Sequence, residues 1–97
     1  MTWRILLDRR AHQFIEGLPP KSQRIVKEKI AILAGDPFPG TGGDREKLPV
    51  HGREDIHRLQ ISHSYTAFYR IHEREKEVHV LMVMTTDQAH KRYGRLE

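Results

Sequence analysis

The spacing of the apolar residues changes from a helical to an extended period partway along this 97-residue chain. Between residues 11 and 34 the apolar positions recur every three or four residues, as on one face of an α-helix. Between residues 58 and 72 they alternate with polar residues, as on one face of a β-strand. A chain of this length is one domain, here residues 1–97. The pattern predicts an α+β fold in which helices cover one face of a sheet.

The first third of the chain is predicted to form a strand and an α-hairpin. Residues 3–7 are short and apolar, which is typical of a strand. Two helices follow, separated by Pro19-Pro20, and their apolar stripes are Ala11, Phe14, Ile15 and Leu18 in the first and Val26, Ile30, Leu33 and Ala34 in the second. Ser22 is a candidate N-cap of the second helix, which Gly35 ends.

The rest of the chain is predicted to add a three-stranded antiparallel meander and a short C-terminal helix. Residues 38–50 are rich in glycine and proline, so we expect a loop there. Alternating strands at 58–62 and 66–72 flank a turn at His63-Ser64. A charged turn at 73–77 leads to the apolar run 78–84, a strand covered on both faces, and residues 87–96 form the helix. With the N-terminal strand, the sheet has four strands.

Composition limits both the chemistry and the partners of the chain. It has no cysteine, which excludes disulfides and thiolate sites and favours an intracellular location. The apolar run at 3–7 is too short for a signal peptide or a membrane span, so we expect a cytoplasmic protein without membrane association. Seventeen Lys and Arg exceed 13 Asp and Glu, which fits a polyanionic partner or a merely solubilising charge. The seven histidines lack metal-site spacing, so no metal or other cofactor is expected.

Several short motifs, in this order of elements, give the chain a resemblance to a known family. The motifs are Ala34-Gly35-Asp36-Pro37, Lys47-Leu48, His57-Arg58-Leu59-Gln60-Ile61, Tyr65-Thr66-Ala67-Phe68-Tyr69-Arg70-Ile71 and His90-Lys91-Arg92-Tyr93. Together they resemble the RelE/ParE toxin superfamily of toxin–antitoxin pairs over essentially the whole chain. The resemblance implies an antitoxin protein as partner in a hetero-oligomer. It also implies action on the ribosome and messenger RNA, as an endoribonuclease that inhibits translation.

Cleavage of RNA without a metal needs a base for the 2′-hydroxyl, a cation for the phosphate and an acid for the leaving oxygen. His90 and Tyr93 are three residues apart and would share a helical face. The resemblance gives Tyr93 the place of the family's C-terminal tyrosine, with His90 as acid or base. Alternatively, Tyr93 packs the tail onto the sheet and His90 is only exposed. Arg70 is the third catalytic candidate, as a phosphate clamp.

The remaining cations are candidates for RNA binding. The resemblance matches Arg58 to a basic RNA-contacting residue on the first meander strand, and Lys47 to a lysine before leucine in the preceding loop. Arg45 lies in the same loop, and Lys91 and Arg92 lie in the tail. Each of these side chains could equally be a solvated charge.

The chain departs from the family pattern at three cationic positions. Thr66 stands where RelE-like nucleases have an arginine after the tyrosine of the middle strand, Gln60 replaces a basic residue, and Thr85-Thr86-Asp87 lacks an arginine. Loss of one group that stabilises the transition state costs about 3–4 kcal/mol of barrier. Two alternatives therefore stay open: a ParE-like protein that inhibits DNA gyrase by binding, and a non-toxic remnant that only binds its antitoxin.

Overall fold

The computed structural model describes residues 2–38, 45–48 and 56–93, apart from the side chains of Glu46, Leu48, Arg92 and Tyr93. Its elements in chain order are β1 (Arg4–Leu7), α1 (Arg9–Glu16), α2 (Pro20–Ile32), β2 (Arg45–Leu48), β3 (Ile56–Ile61), β4 (Tyr65–His72), β5 (Glu77–Thr85) and α3 (Thr86–Tyr93). The α+β class and the predicted order of strand, α-hairpin, meander and C-terminal helix are confirmed. No helix in these described ranges is long and apolar enough to span a membrane.

The two N-terminal helices begin differently. Asp8 caps α1, and its carboxylate accepts a hydrogen bond of 2.9 Å from the backbone N–H of Arg10. α2 begins with Pro19 as N-cap and Pro20 in its first turn, so the prediction of Ser22 as N-cap is wrong. Proline suits the first helical position because it has no N–H to leave unpaired there and its φ is already helical. Ser22 lies inside the first turn instead.

The sheet has five strands in the order β1-β5-β4-β3-β2, one more than predicted. The β3-β4-β5 meander is antiparallel, and β1 pairs parallel to β5. The added strand, β2, lies within the predicted loop of residues 38–50 and pairs antiparallel with β3. Its sequence, Arg-Glu-Lys-Leu, has little apolar content to mark a strand, but charged residues suit an edge strand because they discourage further pairing.

One face of the sheet packs against α1 and α2 and forms the main core. The sheet contributes Leu59, Ile61, Ala67, Tyr69, Val78, Val80 and Val83 to this core, and the helices contribute Ala11, Ile15, Val26, Ile30 and Leu33. Between Phe68 and Tyr69 the pairing with β5 skips Leu81, because Phe68 pairs with Met82 and Tyr69 with Val80. This bulge lets Val80 and Val83 face the same side although they are three residues apart.

The opposite face, here called the outer face, carries Arg58, Gln60, Thr66, Phe68, Arg70, His72, Glu77 and His79. These residues alternate along their strands with the core residues and therefore point away from α1 and α2. α3 packs on this face through Ala89, in a second cluster with Ile56, Phe68 and Met84. The run 78–84 is thus covered by α1 on one side and in part by α3 on the other.

Candidate nucleic-acid interface

Arg58 and Arg70 lie on the outer face in adjacent strands. Arg58 pairs with Phe68, and Arg70 is two residues beyond Phe68 on β4. The two arginines therefore occupy diagonal positions, for which residues are typically about 7–8 Å apart, with a somewhat smaller distance between the Cβ atoms. Both side chains are half-buried. Within the described residues Arg70 forms no hydrogen bond, although its Nε is shielded from solvent, so its guanidinium keeps unused donors.

α3 lies on the same face as these arginines. Ala89, 3% exposed, packs against Phe68, whose cross-strand partner is Arg58. His90 and Lys91 follow on α3, and both are exposed. The side chains of Arg92 and Tyr93 lie outside the described part of the chain. The shared helical face of His90 and Tyr93 therefore stays a prediction.

Lys91 lies at a different place from Arg58. It lines an open cavity of about 350 Å³ together with Arg10, Phe14, Met82, Val83, Met84 and Gln88. Most of these residues belong to β5 or flank it, whereas Arg58 is on β3, on the far side of β4. Lys91 thus lies beside β5, with β4 between it and Arg58, and the two side chains do not form one group.

Arg45 and Lys47 lie on the side of the sheet opposite Arg58. In the β2–β3 register Arg45 pairs with Leu59 and Lys47 pairs with His57, and cross-strand partners share a face. Leu59 belongs to the core beneath the helices. A guanidinium nitrogen of Arg45, Nη1, donates a 2.9 Å hydrogen bond to the carbonyl oxygen of Asp36, just after α2. Two of the predicted RNA-binding cations are thus separated from the outer-face arginines.

The three positions at which the resemblance led us to expect cations come together in one uncharged network. Gln60 and Thr66 are cross-strand partners, and Thr86 begins α3. Gln60 Nε2 donates to Thr86 Oγ1 at 3.0 Å and to the Tyr65 carbonyl oxygen at 3.1 Å. Thr66 Oγ1 lies 3.4 Å from both Gln60 Oε1 and Thr86 Oγ1. The polar groups satisfy one another and connect α3 to β3 and β4.

The start of α3 is fixed by a reciprocal pair of hydrogen bonds. The Gln88 backbone N–H donates to Thr85 Oγ1, and the Thr85 N–H donates to Gln88 Oε1, each at 3.2 Å. This is a capping box, whose Thr-x-x-Gln pattern is visible in the sequence. It starts the helix at Thr86, one residue before the predicted beginning.

A cluster of ionisable side chains that sequence reasoning missed lies where the outer face meets the β4–β5 turn. The His72 and His79 ring centroids are 4.1 Å apart with planes tilted by 43°. His79 Nε2 lies 3.1 Å from Glu77 Oε1, and Arg4 of β1 forms an ion pair with Glu77. The hydrogen bond from His79, and next that from Arg4, lower the pKa of the Glu77 carboxyl below its usual 4.5. Alternation places Arg70 and His72 on one side of β4 and Glu77 and His79 on one side of β5, but the register of the turn decides whether the two pairs share a face.

Among the described residues, no three His, Asp or Glu side chains are grouped so that they could hold a metal ion. The network of Gln60, Thr66 and Thr86 offers only neutral oxygens and one amide. The described side chains of this face include two arginines, two imidazoles and this neutral network.

Comparison with known proteins gives structural matches. No protein-family model and no curated protein sequence matches the chain. The archaeal RelE–RelB complex from Pyrococcus horikoshii matches with a TM-score of 0.72 and 25% identity, covering 88% of this chain and 96% of that chain. The RelBE2 toxin–antitoxin complex from Mycobacterium tuberculosis matches with a TM-score of 0.72 and 20% identity, covering 88% of this chain and 99% of that chain. The isolated RelE toxin of E. coli matches with a TM-score of 0.67 and 18% identity, covering 93% of this chain and 97% of that chain. The chain therefore has the fold of these RelE toxin structures.

Proposed function

We propose that this chain is the toxin of a toxin–antitoxin pair and that it cuts messenger RNA on the ribosome with its outer face. The observation that carries the proposal is the placement of Arg58, Arg70 and α3 on one face of the sheet. Two guanidinium groups at diagonal positions suit an oxyanion, since each offers donors in a planar fork. The likeness to RelE structures supports the same role.

In the proposed reaction the RNA supplies its own nucleophile. The 2′-oxygen forms a bond to phosphorus while the bond to the 5′-oxygen breaks, which leaves a 2′,3′-cyclic phosphate and a 5′-hydroxyl. Arg58 and Arg70 offset the negative charge on the phosphorane. His90 either takes the proton of the 2′-hydroxyl or gives a proton to the leaving 5′-oxygen, and a water molecule carries out the other transfer. Tyr93 stacks on a nucleobase and so holds the phosphate in line. No protein nucleophile is needed.

We further propose an antitoxin as protein partner, in a hetero-oligomer formed in the cytoplasm. Among the matching structures, the P. horikoshii RelE is seen with RelB and the M. tuberculosis match is a toxin–antitoxin complex. A small domain with an excess of Lys and Arg suits an acidic, partly disordered chain that folds on binding.

Induced expression in a bacterial host tests the nuclease proposal. The unmodified chain should arrest growth and leave transcripts cut within codons, as read by primer extension. Replacing Arg58 and Arg70 together with Ala should abolish the cuts. The control replaces Lys21 and Arg24, two exposed cations on α2, with Ala and should leave the cuts unchanged. Normal growth with abundant soluble protein would contradict the proposal.

The uncharged network of Gln60, Thr66 and Thr86 favours a second candidate, a toxin or regulator that binds without cutting RNA. Where RelE-like nucleases are expected to have cations, these neutral groups satisfy each other. A ParE-like gyrase inhibitor would cause filamentation and DNA damage in the same expression experiment, with transcripts intact. An unharmed host and a tight complex with an antitoxin would indicate a regulator.

A further inference from the structure

The cluster at the β4–β5 turn continues the cationic part of the outer face. Arg70 pairs across the strands with His79, and His72 pairs with Glu77. Arg70 and His72 are two residues apart on β4 and so share the face. Arg70 therefore has one imidazole opposite it and the other beside it. Together with the diagonal neighbour Arg58, these side chains form one continuous strip across β3, β4 and β5.

The charges in this cluster do not cancel. Its one carboxylate, Glu77, has a side chain only 13% exposed and already holds both Arg4 and His79. Arg4 is far more open to solvent, at 71%. Arg70 forms no ion pair with any described residue. Within the described residues, the Glu77 carboxylate thus contacts Arg4 and His79, and the Arg70 charge is not offset by an ion pair.

The spacing of the two imidazoles decides what they can do. A base and an acid for in-line cleavage must act from opposite sides of the phosphorus, with the phosphate between them. Centroids 4.1 Å apart put the rings in van der Waals contact, which leaves no space for a phosphate. The rings must therefore contact an anion from one side, through their edges. Two imidazoles on the same side of a phosphate suit binding of the phosphate and do not suit in-line cleavage of a phosphodiester.

We propose that His72, His79 and Arg70 form a phosphodiester-binding subsite that holds the backbone of single-stranded RNA beyond Arg58 on the outer face. The subsite rests on the proposed RNA-directed function. Its donors are the His72 imidazole, Nδ1 of His79 and the Nη nitrogens of Arg70, because Glu77 holds His79 Nε2 and the Arg70 Nε is shielded from solvent. Glu77 holds the His79 ring in place through its 3.1 Å contact and does not face the phosphate.

Binding at this subsite depends on pH. A charged imidazole binds a phosphate more strongly than a neutral one, because both of its ring nitrogens then donate. A bound phosphate favours the charged form of each ring, so binding takes up protons and strengthens as the pH falls. The other charged groups of the cluster are Arg4 on β1, Arg70 on β4 and Glu77 on β5. Both arginines stay charged between about pH 5 and 8, where histidine ordinarily titrates, so the imidazoles set the pH dependence.

The test measures binding of a short, fully 2′-O-methylated single-stranded RNA, which cannot be cut, by fluorescence anisotropy from pH 5.5 to 8. The double variant His72→Gln, His79→Gln should bind about tenfold more weakly at pH 6 and lose most of the pH dependence, on the scale of one charge-assisted hydrogen bond. The control is His12→Gln, His63→Gln, two exposed histidines on α1 and on the β3–β4 turn, and it should match the unmodified protein. Circular dichroism checks that each variant is folded.

Proton NMR of the imidazole C2–H groups separates the two ways of failing. The signals of His72 and His79 should shift on adding the RNA, while those of His12 and His63 should not. If signals elsewhere on the outer face shift but these two do not, the subsite is wrong and the RNA-directed function stands. If nothing shifts and the anisotropy is flat at every pH, the chain does not bind RNA, and both proposals fall.

Discussion

The hydroxyl of Tyr69 offers a sharp test of how the central strand is held. Tyr69 is fully buried on the helix-facing side of β4, and its hydroxyl donates a 2.7 Å hydrogen bond to the carbonyl oxygen of Pro37. Pro37 is itself buried and follows the end of α2. This bond connects the middle of the sheet to the segment that leads from the helices to β2.

Replacing Tyr69 with Phe should lower the free energy of unfolding by about 1–3 kcal/mol. The substitution removes one hydrogen bond and leaves the Pro37 carbonyl unsatisfied in a site without solvent access. The ring is retained, including its stacking on His57 at a centroid distance of 5.3 Å, so little packing is lost. For a domain of this size each kcal/mol lowers the Tm by about 4–8 °C. A loss of about 2 kcal/mol thus lowers the Tm by about 8–16 °C.

Tyr65→Phe is the matched control for this experiment. Tyr65 lies four residues earlier on the same strand, half-buried against the same core, and packs edge-on against Phe14. Its hydroxyl makes no hydrogen bond to any described residue, so the variant should stay within about 0.5 kcal/mol of the unmodified protein. Thermal and urea unfolding followed by circular dichroism measure both. Equal stability of the two variants would refute the structural role of the Tyr69 hydroxyl.

Three further predictions concern the α3 attachment and the β5 carboxylate. Gln60→Leu removes the hydrogen bonds to Tyr65 and Thr86 and should lower the free energy of unfolding in urea by about 1–2 kcal/mol. The control, Gln13→Leu on the exposed side of α1, should not lower it. Equal urea midpoints of the two variants would count against a stabilising role of the network. Thr85→Ala breaks the capping box and should cost about 1 kcal/mol, most of which Thr85→Ser should restore. Because the folded state lowers the pKa of Glu77, its ionised form stabilises the fold above about pH 4.5, and this contribution is lost as the pH falls further. Glu77→Gln should therefore reduce the fall in Tm between about pH 5 and pH 3; parallel curves would show that Glu77 does not contribute.

The sequence predicts the elements that have a regular apolar period. In α1 and α2 the buried face requires an apolar stripe, and in β3 and β4 it requires alternation of apolar and polar residues. Each of these four elements can therefore be located from its own residues. β2 could not, because an edge strand covered on one side needs few apolar residues. Its position depends on pairing with β3, which is a tertiary property.

The candidate site is predictable only as far as strand register is predictable. Arg58 and Arg70 could be assigned to one face from alternation alone. The assignment of Arg45 and Lys47 required the β2–β3 register, which no local pattern encodes. The predicted turn at residues 73–77 is one residue longer than the observed turn, in which His72 pairs with Glu77. With the longer turn Arg70 would stand opposite Val80 instead of His79, and the His72 and His79 imidazoles would lie on opposite faces of the sheet.

The position of the charges on the outer face determines where a phosphate can be held. Thr66 and Arg70 are four residues apart on β4, which is about 13 Å along a strand. The Debye length at physiological salt is about 8 Å, so a phosphate at the uncharged network would gain little from Arg70. A phosphate between Arg58 and Arg70 would have both guanidinium groups within that length and the His79 imidazole next to them. If the chain acts on RNA, the anionic backbone therefore lies over the β4–β5 end of the outer face, while the network of Gln60, Thr66 and Thr86 attaches α3.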